Sequence, residues 1–144
     1  MRIESGDEFI EIEFECDYFK KDDYVEIYLD FELEEVGWGM VSYHFFSISA
    51  IKAMYENFDK ILKGKSNEFH ISEDEFYWID IISVSGGFEA HIKIHDCLDD
   101  YIELTEIIDE SRLRSFKEEC KKAYESYKLV KNACRFEKDN LHNE

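Results

Sequence analysis

The chain has 144 residues and a formal net charge of −18, with 44% hydrophobic and 16% aromatic residues. A domain of this length buries roughly two-thirds of the surface its unfolded chain exposes, and so many aromatics exclude the acidic disordered class. The charge excludes nucleic acid and anionic membranes as direct partners, because both repel such a field.

Cationic proteins, peptides and metal ions remain. No stretch reaches the roughly 18 apolar residues of a membrane span. Residues 1–15 carry acids where a signal peptide needs an apolar core, so a cytoplasmic location is expected. The four cysteines, Cys16, Cys97, Cys120 and Cys134, fit reduced thiols there. None forms a C-x-x-C pair, which disfavours structural zinc.

Along the chain, residues 9–17 alternate. Ile10, Ile12, Phe14 and Cys16 lie on one side, and Glu11, Glu13, Glu15 and Asp17 on the other. Period two with half the positions charged predicts a strand buried on one face. Lys20, Lys21, Asp22 and Asp23 form the expected turn. Residues 24–33 alternate again, with Val25, Ile27, Leu29, Phe31 and Leu33 inward and Glu26, Tyr28, Asp30 and Glu32 outward. After Glu34 and Glu35, residues 36–47 predict a third strand. There Trp38, Met40, His44 and Phe46 alternate with Val41, Tyr43 and Phe45, so both faces are open to coverage.

Ser49 is positioned to cap a helix over 50–63. Its Ile51, Met54, Tyr55, Phe58, Ile61 and Leu62 make one apolar stripe, and Gly64 supplies a C-terminal stop. Strands are expected over 68–71 and 75–84. A hairpin at Ser85, Gly86 and Gly87 then leads to a strand over 88–94. An acidic turn at 96–100 precedes a strand over 101–108. Ser111 opens a last helix, striped by Leu113, Phe116, Cys120, Ala123, Tyr124 and Tyr127, with an expected end near Cys134. Residues 1–135 then form one domain, and 136–144 a frayed tail. The predicted class is α+β: antiparallel meander sheets with two helices packed on one side, in the order βββ-α-ββββ-α.

Charge is distributed unevenly. Residues 3–51 hold fourteen carboxylates and two cations, residues 52–111 fifteen and five, and residues 112–138 four and nine. Like charges opposed on a sheet destabilise it. A face that tolerates them is suited to a positive partner.

No motif announces catalysis. Glycosidase chemistry needs two carboxyls facing across a cleft, and an outward strand face is flat or convex. SVSGGF reads as a hairpin rather than a nucleophile elbow. There is no phosphate loop or dinucleotide fingerprint, so no cofactor is expected. His91 and His95 share a strand face with Lys93 between them, but residues four apart on a strand sit roughly 13 Å apart, too far for one metal ion. They read as surface histidines, and His44 and His70 have no partner motif. Asp96, Asp99 and Asp100 lack the glycine and terminal glutamate of an EF-hand and read as a solvated turn. The chain is therefore expected to be neither an enzyme nor a metalloprotein.

The order of elements over 9–127, with the segment EIYLDFELEEVGWGMVSYHFFSISAIKAMYENFDKIL, resembles bacterial immunity proteins of polymorphic toxin systems, nearest to the WapI-like group. That resemblance implies a non-catalytic protein that binds one cognate toxin domain tightly and blocks it; the anionic surface itself, which can mimic nucleic acid, makes a nuclease one candidate partner. The resemblance carries over no binding residues. The residues themselves point to Glu11, Glu13, Glu15, Glu26, Asp30 and Glu32 as the docking row, with Tyr28 as its aromatic anchor. The alternative is an acidic housekeeping or self-associating domain, monomer or homodimer, whose charge only solubilises it.

Overall fold

The computed structural model describes residues 1–15, 24–73, 76–95 and 101–141. Ten elements run in the order β1 (Arg2–Ser5), β2 (Glu8–Phe14), β3 (Tyr24–Leu33), β4 (Gly37–Ser47), α1 (Ile48–Leu62), β5 (Glu68–Glu73), β6 (Tyr77–Val84), β7 (Gly87–His95), β8 (Tyr101–Ile108) and α2 (Glu110–Leu141). The strands form two four-stranded antiparallel meanders, β1-β2-β3-β4 and β5-β6-β7-β8. The α+β class and the helices' place on one side hold, and the order gains a strand at its start. Among the described residues, no helix is long and apolar enough to cross a membrane.

The alternation on β2 and β3 works as expected: Ile10, Ile12, Val25, Ile27 and Leu29 are fully buried while their neighbours face out. Strand β1 escaped the sequence reading because Arg2–Ser5 offers one inward apolar residue, Ile3, too little for a period to show. The turn expected at Lys20–Asp23 and the acidic turn at 96–100 lie outside the described residues, as do Cys16 and Asp17 at the expected end of the first strand and Glu75 at the expected start of the strand over 75–84.

Both helices cap differently from expectation. Ser47, not Ser49, caps α1, its hydroxyl accepting from Ala50 N at 3.2 Å. Asp109, not Ser111, caps α2 by accepting from Arg112 N at 2.8 Å. In each case the true cap lies one residue before the helix, where the free N–H groups emerge. Gly64 ends α1 as expected. Its φ of 70° lets Gly64 N reach Ile61 O at 3.1 Å and Lys65 N reach Lys60 O at 2.9 Å. Helix α2 runs past Cys134 to Leu141, through residues expected to fray. No glycine or proline interrupts that stretch, and good helix formers carry it on.

One core joins the two sheets and both helices. Phe46 stands at its centre, fully buried, stacked on Tyr77 of the second sheet at 4.2 Å and edge-on to Phe14 of the first at 5.8 Å. The expected alternation put Phe46 on the face of Trp38, and the structure corrects this. The β3–β4 ladder pairs Ile27 with Tyr43 but Val25 with Phe46, so β4 carries an extra residue between them. A bulge of this kind reverses the phase of everything beyond it.

The sheets meet edge to edge at β1 and β8 without sharing a ladder. Side chains close the seam. Glu106 on β8 accepts from Glu4 N at 2.8 Å, and Arg112 of α2 bonds both Glu106 and the Arg2 carbonyl.

Within the first sheet, Gly39 pairs with Phe31, and a Cβ at Gly39 would lie 2.5 Å from the buried Phe31 ring. Gly39→Ala should therefore cost about 1–3 kcal/mol through overpacking. Gly6→Ala, in a turn with open space but a φ of 60°, separates this packing cost from backbone strain alone. Urea unfolding of both variants measures it. An unshifted Gly39→Ala midpoint would show that Phe31 swings aside without cost.

Candidate docking face

The outward face of the first sheet is built by register. Glu11 of β2 stands opposite Asp30 of β3, Glu13 opposite Tyr28, and Phe9 opposite Glu32. Directly opposed residues on neighbouring strands have Cβ atoms roughly 5 Å apart, so Glu11 and Asp30 repel at close range. The fold brings together all seven residues that the sequence singled out: Glu11, Glu13, Glu15, Glu26, Tyr28, Asp30 and Glu32. They occupy two adjacent strands, with Glu15 just past the end of β2, and each is exposed or half-buried.

Two features of this face could not be read from alternation alone. Strand β1 adds a cation: Arg2 pairs with Glu11 at 3.4 Å and with Glu4 at 3.5 Å, and its guanidinium lies 4.0 Å above the Phe9 ring. The row is thus compensated at one edge. No described cation pairs with Glu13, Asp30 or Glu32. Three of the α2 cations are spent elsewhere: Arg112, Arg114 and Lys117 pair with Glu106, Glu110 and Asp59.

The second feature is Trp38. It pairs with Glu32 across the β3–β4 ladder and is 67% exposed, against 39% for Tyr28. Tyr28 is therefore not the sole aromatic on this face, since Trp38 and Phe9 share it. Counting outward from the closing pair Leu33–Gly37 would have found Trp38, because pairing, not hydropathy, decides its side.

Local electrostatics reflect the crowding. The adjacent Glu15 carboxylate pushes the Tyr28 phenol pKa up, with partial desolvation, the Tyr28–Glu15 hydrogen bond and Glu26 and Glu13 adding to it. Asp30 Oδ1 is shielded from solvent and has no hydrogen-bond partner. Such an acceptor costs free energy until a donor arrives. At the seam, Glu8, Glu34, Glu35 and Glu103 line a cavity of about 360 Å³ with Tyr101 and Val36, extending the acidic surface toward the second sheet.

The outward face of the second sheet carries a different construction. A lateral chain crosses all four strands: His70 on β5, Asp80 on β6, His91 on β7 and Glu103 on β8. Asp80 bonds His70 Nδ1, and its other oxygen lies 2.9 Å from His91 Nδ1. His91 Nε2 is 2.6 Å from Glu103. His70 thus has a partner that the sequence did not reveal, because Asp80 lies ten residues away and only the hairpin register apposes them.

Both His91 nitrogens face carboxylates, an arrangement that favours the protonated ring, which donates from both. Such a ring has no lone pair for a metal. His95 packs instead against Tyr101 at 4.9 Å, and the two histidines do not converge. Among the described residues no group of three or more His, Cys, Asp or Glu could hold a metal ion. Cys120 is wholly buried, and burial pushes its thiol pKa up, so it stays protonated.

The network makes stability depend on pH. Burial alone would lower the His91 pKa, but its bonds to Asp80 and Glu103 prevail and raise it above the ordinary 6.5. Burial likewise works to raise Asp80, yet its bonds to His91 and His70 hold it below the ordinary 3.8. The raised histidine contributes stability that is complete below pH 6.5 and lost as pH rises through its folded pKa. The depressed aspartate contributes stability that is complete above 3.8 and lost as pH falls through its own folded pKa. The melting temperature of the wild type minus that of His91→Gln should therefore be greatest between those limits and shrink above pH 6.5. A difference that stays flat from there into the alkaline range would show that His91 carries no linked proton.

No protein-family model matches this chain, and no curated protein matches it.

Proposed function

We propose that this protein is an immunity-type inhibitor that captures a cationic toxin domain on the outward face of its first sheet. The observation that carries the reading is the register of β2 on β3, which sets Glu11 against Asp30 and leaves Glu13, Asp30 and Glu32 without a described cation. Opposed like charges cost stability in the free protein, and a cationic partner relieves that cost on binding. The anionic field steers such a partner and speeds encounter. Trp38 and Tyr28 supply the exposed aromatic surface that tight interfaces use as anchors. The half-buried Asp30 carboxylate, whose shielded Oδ1 lacks a hydrogen-bond partner, gains a donor if its side chain turns toward an incoming lysine or arginine.

Blocking, rather than processing, is the reading an open sheet face supports, since such a face offers area for contact. The test is a titration of the variable C-terminal domain of a secreted protein encoded beside this chain. Loss of that domain's activity at a one-to-one ratio, with a co-eluting complex, supports the reading. Full activity and separate elution would overturn it.

A further inference from the structure

The acidic surface has a counterpart on the helical side of the molecule. Between α1 and α2 lies a cleft of about 560 Å³ into which five lysines converge: Lys60, Lys63, Lys65, Lys117 and Lys121. We propose that this cleft binds a small ligand carrying two or more phosphate groups.

The concentration itself requires explanation. The chain has 17 lysines and arginines against 35 acids, yet five of those cations line one cleft and only Glu56 and Asp59 accompany them there. The α1 dipole accounts for part of this, since Lys60 lies in the last turn of α1 and Lys63 just beyond it, where cations are favoured. It does not account for Lys117 and Lys121. They sit inside α2, beyond the first turn and far from its C-terminal end, and face the other cations across the cleft.

Internal compensation is incomplete. Asp59 bonds Lys63 at 2.7 Å and Lys117 at 3.3 Å, which lowers the Asp59 pKa and uses both its oxygens. Lys117 also lies 3.5 Å from Glu118. Lys60, Lys65 and Lys121 have no carboxylate within ion-pair distance among the described residues. Lys117, only 17% exposed, is a fixed donor at the base, while the exposed Lys60, Lys65 and Lys121 are free to close over a bound anion.

Charge and size select the ligand. Three unmatched ammonium groups from two helices and the loop after α1 suit several anionic oxygens spread over a few ångströms, and lysine serves phosphate as a mobile point charge. The volume is that of a small-molecule site. A long nucleic acid would run from this cleft onto surfaces of the opposite sign. Tyr55, packed against Tyr124 at 5.6 Å, forms an aromatic wall for whatever the phosphates are attached to.

Isothermal titration of the full chain with inorganic triphosphate, and separately with orthophosphate, tests this. Triphosphate should bind saturably and one-to-one, more weakly as salt is raised, and at least about tenfold tighter than orthophosphate. The double variant Lys60→Gln/Lys121→Gln should lose about tenfold in affinity. Lys122→Gln/Lys128→Gln, equal in charge change but outside the cleft, should stay within about twofold. All four side chains are exposed, so melting temperatures should confirm intact folds. Absence of saturable triphosphate binding would overturn the proposal, as would equal losses from the two double variants. Self-association abolished by Lys60→Gln/Lys121→Gln without any phosphate binding would also overturn it, assigning the cleft to the acidic face of a second copy.

Discussion

Reversing Glu13, Asp30 and Glu32 together to lysine should slow capture of a cationic toxin domain by about tenfold to a hundredfold at low salt. The three residues are the members of the row with no described ion-pair partner, so their field reaches a visitor undiminished. Stopped-flow association across a salt series is the measurement. The wild-type rate should fall steeply with salt, because exposed charges beyond a Debye length are screened, whereas the variant should show a flat dependence. Dissociation should change less, because the aromatic contacts at Trp38 and Tyr28 remain. The variant should be no less stable than wild type, since Asp30→Lys opposite Glu11 replaces a repulsive pair with an attractive one. A rate equal to wild type, with the same salt slope, would remove the sheet face from the interaction.

The largest loss of stability is expected from Phe46→Ala, at about 3–5 kcal/mol. Phe46 is fully buried and belongs to the first sheet, but its ring stacks on Tyr77 of the second and meets Phe14 edge-on. Truncating it opens a cavity where aromatic packing joins the sheets. Ile81→Val, which removes a single methyl group from another buried position, should cost only about 0.5–1.5 kcal/mol. Denaturant unfolding of both variants gives the comparison. A Phe46→Ala loss no larger than that of Ile81→Val would mean that the two halves hold together without this stack.

These expectations separate what alternation reveals from what register decides. The inward residues of β2 and β3 were legible because a one-side-buried strand forces period two on the sequence. The apolar stripe of α1, with Gly64 ending it, was legible for the analogous reason at helical period. Both cap positions were off by two residues because several serines and acids near a helix start compete, and backbone geometry chooses among them. The candidate row itself, Glu11 to Glu32, followed directly from parity. What parity could not show was Arg2, brought in by a strand too short to display a pattern, or Trp38, whose side depends on the length of the β3–β4 turn.

By itself, then, the sequence determined the α+β class, the two helical stripes and the acidic row, because each is a local periodicity that one burial face imposes. Only the tertiary structure decided which distant groups meet. The bulge in β4 turned Phe46 into the core, four-strand register assembled His70, Asp80, His91 and Glu103, and packing of α1 on α2 gathered five lysines into one cleft. The physical reason is common to all three. Contacts between residues far apart in the chain depend on register and helix placement, and these are fixed by the summed packing of the whole core rather than by any short stretch of sequence.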